Sequence, residues 1–147
     1  MLAVSLAVVV LGGLLACGQS ENDDSTETLS PPSFPFDLSE TGFHQSLLRV
    51  NSGRRVEVSV EVRQEKHDQH ICGVPSVVDP FRNVLQTLTP RQNTEKETAT
   101  HYVYESQYAF YAATDGMYGV KLENQSCALD DVAAVATVQW TIFPVQE

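Results

Sequence analysis

The sequence predicts an all-β protein, an antiparallel β-sandwich. Three observations carry that expectation. Val56, Val58, Val60 and Val62 alternate with Glu57, Ser59, Glu61 and Arg63, the pattern of a half-buried strand with one wet face. Comparable segments recur, separated by clusters of Asn, Asp, Ser, Gly and Pro that read as turns. No stretch sustains a helical period. At 147 residues, 42% of them apolar, the chain has room for one compact domain with a core, plus short extras.

The elements follow in order from Phe43. Leu48-Arg49-Val50 runs into Asn51-Ser52-Gly53, a turn cluster that predicts a hairpin with the valine strand. A third strand spans about Ser76 to Val78. It stops at Asp79-Pro80, where the Asp side chain can bond the turn backbone and Pro presets φ. Val84 to Leu88 is the return strand, and polar Arg91 to Thr100 reads as an exposed loop. His101 to Ala113 is a long strand with Tyr102, Tyr104, Tyr108, Phe110 and Ala112 on one face. Thr114-Asp115-Gly116 turns it back into Tyr118, Val120 and Leu122, which alternate with Gly119, Lys121 and Glu123. Val132 to Phe143, with Trp140, closes the domain as another alternating, β-branched segment.

The N-terminal part has a different character. Leu2 to Ala16 is uncharged and almost wholly apolar, too short for the ~20 residues of a bilayer-spanning helix. Its length and small-residue end fit the h-region of a secretory signal peptide, residues 1–16. Leu14-Leu15-Ala16-Cys17 then resembles the lipobox of bacterial lipoproteins, although no Lys or Arg precedes the apolar run. That resemblance implies cleavage before Cys17 and lipidation of its thiol, with the acyl chains as membrane anchor. It places the protein at the cell membrane or outer membrane, on the extracytoplasmic side. Residues 17–42 are rich in Ser, Thr, Asp, Glu and Pro and read as a disordered tether, with Phe34 and Phe36 as candidates for first contact with the domain. Pro31, Pro32 and Pro35 stiffen the tether's end. The sandwich is expected over 43–147.

Two later segments resemble those of GOLD-type (Golgi dynamics) β-sandwiches, a jelly-roll-like architecture. Val78-Asp79-Pro80-Phe81-Arg82-Asn83-Val84 is similar to their V-D-P-x-G-N-V turn. Arg82 stands where Gly is usual, which assigns any left-handed turn residue to Asn83. Gly116, Tyr118, Val120 and Asn124 match the G-x-Y-x-V-x-x-x-N hairpin. Bacterial pre-peptidase C-terminal domains share the G-x-Y hairpin and are the near alternative. Both resemblances imply a non-catalytic domain, and the GOLD likeness implies partner recognition beside a membrane. In physical terms, Gly116 can take positive φ, Tyr118 buries its ring with the hydroxyl at the rim, and Asn124 can tie down the next loop.

Candidate sites are few. His67-Asp68-Gln69-His70-Ile71-Cys72 is the one metal-like cluster, and zinc is weighed against a polar inter-strand loop. His67 and His70 would point to opposite faces of a strand, so no metal or other cofactor is expected. With Cys17 lipidated and exported, Cys72 and Cys127 remain as disulfide partners or as two separate buried thiols. The four rings Tyr102, Tyr104, Tyr108 and Phe110 could stack a sugar, or they are a core face. No paired carboxylates in a recognisable setting, G-x-S-x-G elbow or phosphate-cradling glycine loop points to an enzyme. The net charge of −10 disfavours nucleic acid, which needs clustered Lys and Arg. The function expected is a lipid-anchored recognition module for a protein partner. A carbohydrate-binding sandwich and a structural envelope protein are the alternatives.

Overall fold

The computed structural model describes residues 28–33, 35–38, 43–67, 71–123, 127 and 131–145. These form strands β1 (Pro35–Asp37), β2 (Phe43–Val50), β3 (Arg55–Glu65), β4 (Val74–Val78), β5 (Val84–Thr87), β6 (Arg91–Gln92), β7 (His101–Tyr111), β8 (Gly116–Glu123) and β9 (Ala134–Ile142). A five-stranded sheet in the order β1-β9-β3-β7-β6 packs against a four-stranded sheet in the order β2-β8-β4-β5. Every pairing is antiparallel, as expected for a β-sandwich.

The period of two decides which atoms meet between the sheets. Val56, Val58, Val60 and Val62 of β3 are buried, and Ala136, Val138, Trp140 and Ile142 of the adjacent β9 extend the same inward face. Tyr118, Val120 and Leu122 of β8 supply the opposing wall. Trp140 donates its indole Nε1–H across the gap to the Ser46 hydroxyl at 2.9 Å, so the largest core ring also has its polar atom satisfied.

Two turns differ from the sequence expectation. Asn51-Ser52-Gly53 does not close a hairpin, because β2 and β3 lie in different sheets. Val50 and Val56 are both buried, each pointing inward from its own layer, so the chain must arch across the sandwich between them. The turn at Thr114-Asp115-Gly116 likewise carries the chain from β7 in one sheet to β8 in the other, and the G-x-Y segment is not half of a hairpin with the aromatic strand. The two arches lie side by side and bond each other. Gly53 N–H donates to Ala112 O at 2.8 Å, Ala112 N–H to Arg54 O at 2.9 Å, and Ser52 N–H to the Asp115 carboxylate at 2.6 Å.

The sandwich also begins before Phe43. Leu29 bridges Ile142, and Pro35–Asp37 pairs with β9, so part of the expected tether is the edge of the five-stranded sheet. Leu38 is completely buried and Phe36 packs against the core, which supplies the apolar contact this polar stretch otherwise lacks. The loop expected over Arg91 to Thr100 contains β6, two residues paired with Tyr104 and Glu105 of β7. A two-residue polar strand leaves no periodicity to read.

Candidate functional site

The Asp79 turn is built from its own side chain. Asp79 Oδ1 accepts the backbone N–H of Phe81 at 2.9 Å and of Asn83 at 2.8 Å, and Oδ2 accepts Asn83 Nδ2 at 2.9 Å. The Asn83 side chain, and after it the backbone donors of Asn83 and Phe81, hold the Asp79 carboxyl below its ordinary value despite some desolvation. Arg82, not Asn83, takes the left-handed conformation, with φ 69°. The turn's Pro80 then meets the start of β8. A Cβ on Gly116 would lie 2.7 Å from both Pro80 Cβ and Cγ, and Gly116 has φ 149°, so two independent constraints require glycine. The Tyr118 ring is buried 5.3 Å from Phe110, centroid to centroid. Its hydroxyl is not free at the rim; it donates to Thr114 O at 2.9 Å and accepts Thr114 N–H at 3.3 Å.

Beside this junction, the outer face of the four-stranded sheet carries an apolar row, bordered by the polar row Gln45, Lys121, Ser76 and Thr87. The register aligns Leu47 of β2, Gly119 of β8, Val78 of β4 and Val84 of β5 in one row across all four strands. Leu47 is 52% and Val84 58% exposed. Val78 is buried yet stands apart from the core cluster, because it faces outward beneath its neighbours. Gly119 lets the row close up: a Cβ there would meet Leu47 Cδ2 at 3.0 Å and Val78 Cγ2 at 3.1 Å. Met117, paired with Arg49, widens the band toward the Pro80 turn, whose tip is the exposed Phe81. Sequence reasoning missed this band. Its signal was the doubled residues Leu47-Leu48, Val77-Val78 and Val84-Leu85, since strict alternation places only one of each pair inside.

The aromatic strand is mostly a core face. Phe110 is buried and stacks on Tyr108 at 5.6 Å, while Tyr104 and Tyr108 are half-buried against the core. Burial first, then Tyr102 and Glu97, pushes the Tyr104 phenol up. Tyr102 lies under the Lys66 ammonium, 4.9 Å from the ring centroid. Of the four rings, Tyr108 alone lines the cleft of about 1010 Å³ that opens between β5 and the β6–β7 edge. The cleft's other walls are polar, including Gln86, Arg91, Asn93, Glu105 and Gln107. Glu105, which lines the cleft, is bound by Lys96 at 2.5 Å, and Lys96 also binds Glu61 at 2.8 Å. These two carboxylates raise the ammonium's pKa, and Lys96, followed by Asn93, lowers that of Glu105.

Cys72 and Cys127 form a disulfide with Cα atoms 5.5 Å apart. Gln64, itself buried, accepts the Cys72 backbone N–H at 2.7 Å, so β3 holds the cysteine loop. His67 lies beside the pair. Cys17, His70 and Asn124 fall outside the described residues, as does Phe34. No family model and no curated protein matches the chain.

Proposed function

We propose that the chain is a lipid-anchored, extracytoplasmic recognition module of GOLD-type architecture, non-catalytic, that binds a protein partner through the outer face of its four-stranded sheet. The observation that carries this reading is the row Leu47–Gly119–Val78–Val84 with Met117 beside it. Covering each half-exposed side chain there would contribute roughly 1 kcal/mol, the usual basis of a recognition patch. Two details support the GOLD likeness. The V-D-P turn and the G-x-Y segment touch through Pro80 and Gly116, and positive φ falls on Arg82, the position where that family's turn has Gly. The anchor rests on Leu14-Leu15-Ala16-Cys17.

A photo-crosslinker at position 117, activated in intact cells, should give one discrete adduct that Leu47→Glu abolishes. No adduct, or one indifferent to Leu47→Glu, would overturn the partner surface. Cys17→Ser should release the protein from membranes, and continued tight attachment would sink the anchor. The second reading, a carbohydrate or other small ligand, rests on the cleft beside Tyr108. Saturable glycan binding lost in Tyr108→Ala would favour it instead.

A further inference from the structure

The cysteine pair is accompanied by a third group with zinc chemistry. One imidazole nitrogen of His67 and the sulfurs of Cys72 and Cys127 all lie within 4.8 Å of one another. Both His67 ring nitrogens are inaccessible to solvent, and neither has a hydrogen-bond partner among the described residues. Leaving two such atoms unsatisfied is unfavourable, and it leaves a lone pair uncommitted beside the sulfurs. The loop that carries Cys72 does not depend on the S–S bond alone. Gln64 accepts the Cys72 N–H at 2.7 Å, and Gly73, at φ 96°, donates to Ile71 O at 3.1 Å.

We propose that the Cys72–Cys127 disulfide alternates with a zinc site made by Cys72, Cys127 and His67, so that one locus cross-links the same two points of the chain in either redox state. In the oxidised protein the sulfurs bond each other and hold no metal. Two equivalents of an external thiol supply two electrons and two protons. The S–S bond breaks, Cys72 and Cys127 become thiols, and the reductant leaves as its own disulfide. A zinc ion then displaces the two thiol protons to solvent and takes one imidazole nitrogen, with water in the fourth position. The metal undergoes no redox change. Two thiolates and an imidazole suit tetrahedral Zn(II), at Zn–S of ~2.3 Å and Zn–N of ~2.0 Å. The two thiolate sulfurs would then stand roughly 3.8 Å apart, within reach of Cα atoms 5.5 Å apart.

The test uses the full chain, either air-oxidised or reduced with a phosphine and freed of metal, titrated with Co(II) as spectroscopic probe. The reduced protein should bind one equivalent, with thiolate-to-cobalt charge transfer and tetrahedral d–d bands. The oxidised protein should show neither. His67→Gln, which leaves both sulfurs in place, should weaken reduced-state binding more than ~10-fold. If reduction unfolds the chain, added Zn(II) should restore its near-ultraviolet circular dichroism. Absence of the thiolate bands, unchanged affinity in His67→Gln, or a reduced chain that zinc does not refold would each overturn the proposal.

Discussion

Replacing Gly116 by Ala tests the contact that joins the Asp79 turn to β8. The substitution meets two separate obstacles. At φ 149° an alanine is strained by roughly 1–3 kcal/mol, because that region is open essentially to glycine alone. Its Cβ would also sit 2.7 Å from two carbons of Pro80, and displacing a packed ring by a few tenths of an ångström costs roughly 1–3 kcal/mol more. Together they make a loss of about 4 kcal/mol, a large part of the 5–15 kcal/mol typical of a domain. Urea unfolding with the disulfide intact should show this as a lower midpoint at unchanged slope. Pro80→Gly separates the two terms, since it removes the ring but leaves φ alone. The double variant should recover roughly 1–3 kcal/mol relative to the sum of the single losses. A single-variant loss under about 1 kcal/mol, or no coupling between the sites, would refute the argument.

Ser46→Ala leaves the Trp140 indole N–H without its acceptor between the sheets, and equilibrium unfolding should show a loss of about 1–2 kcal/mol. Asp79 has a folded-state pKa below its ordinary 3.8, so its contribution is complete above the unfolded value and disappears as pH falls through the lowered one. Asp79→Asn should therefore flatten the acid limb of a melting-temperature profile while lowering stability at neutral pH. Labelling the denatured, unreduced protein should find neither Cys72 nor Cys127 free. Replacing both should lower stability by about 4 kcal/mol, as expected for a cross-link spanning 55 residues.

The strands were legible because burial enforces a period of two, and the inward valines of β3 stand out in the sequence on that ground alone. What joins the strands was not. Asn51-Ser52-Gly53 reports a reversal of the chain, and the same residues serve a hairpin within one sheet or an arch between two. The choice depends on β2 pairing with β8 and β3 pairing with β7 and β9, partners far away in sequence. Leu29 and Leu38 were hidden for a related reason, since isolated apolar residues in a polar run have no period and gain meaning only from β9. The Asp79 bonds to the turn backbone were readable, but the Asn83 side-chain bond to Asp79, the Pro80–Gly116 contact and the residue that takes positive φ were not. His67 was noticed for its neighbours in sequence, although the structure sets it beside Cys127 as well as Cys72.

The two arches also bear on how fast the domain can assemble. Among the described residues, only β4–β5 and β6–β7 join strands that are consecutive in the chain, and β6 is two residues long. Every other pairing, such as Phe43 with Glu123 or Pro35 with Thr137, must close a long loop before its hydrogen bonds form. Domains of this topology refold in roughly milliseconds to seconds, leaving valine-rich strands exposed meanwhile. The Asp79–Asn83 turn is then the place where local sequence can start a sheet unaided. Substitutions there should slow refolding and change the unfolding rate little.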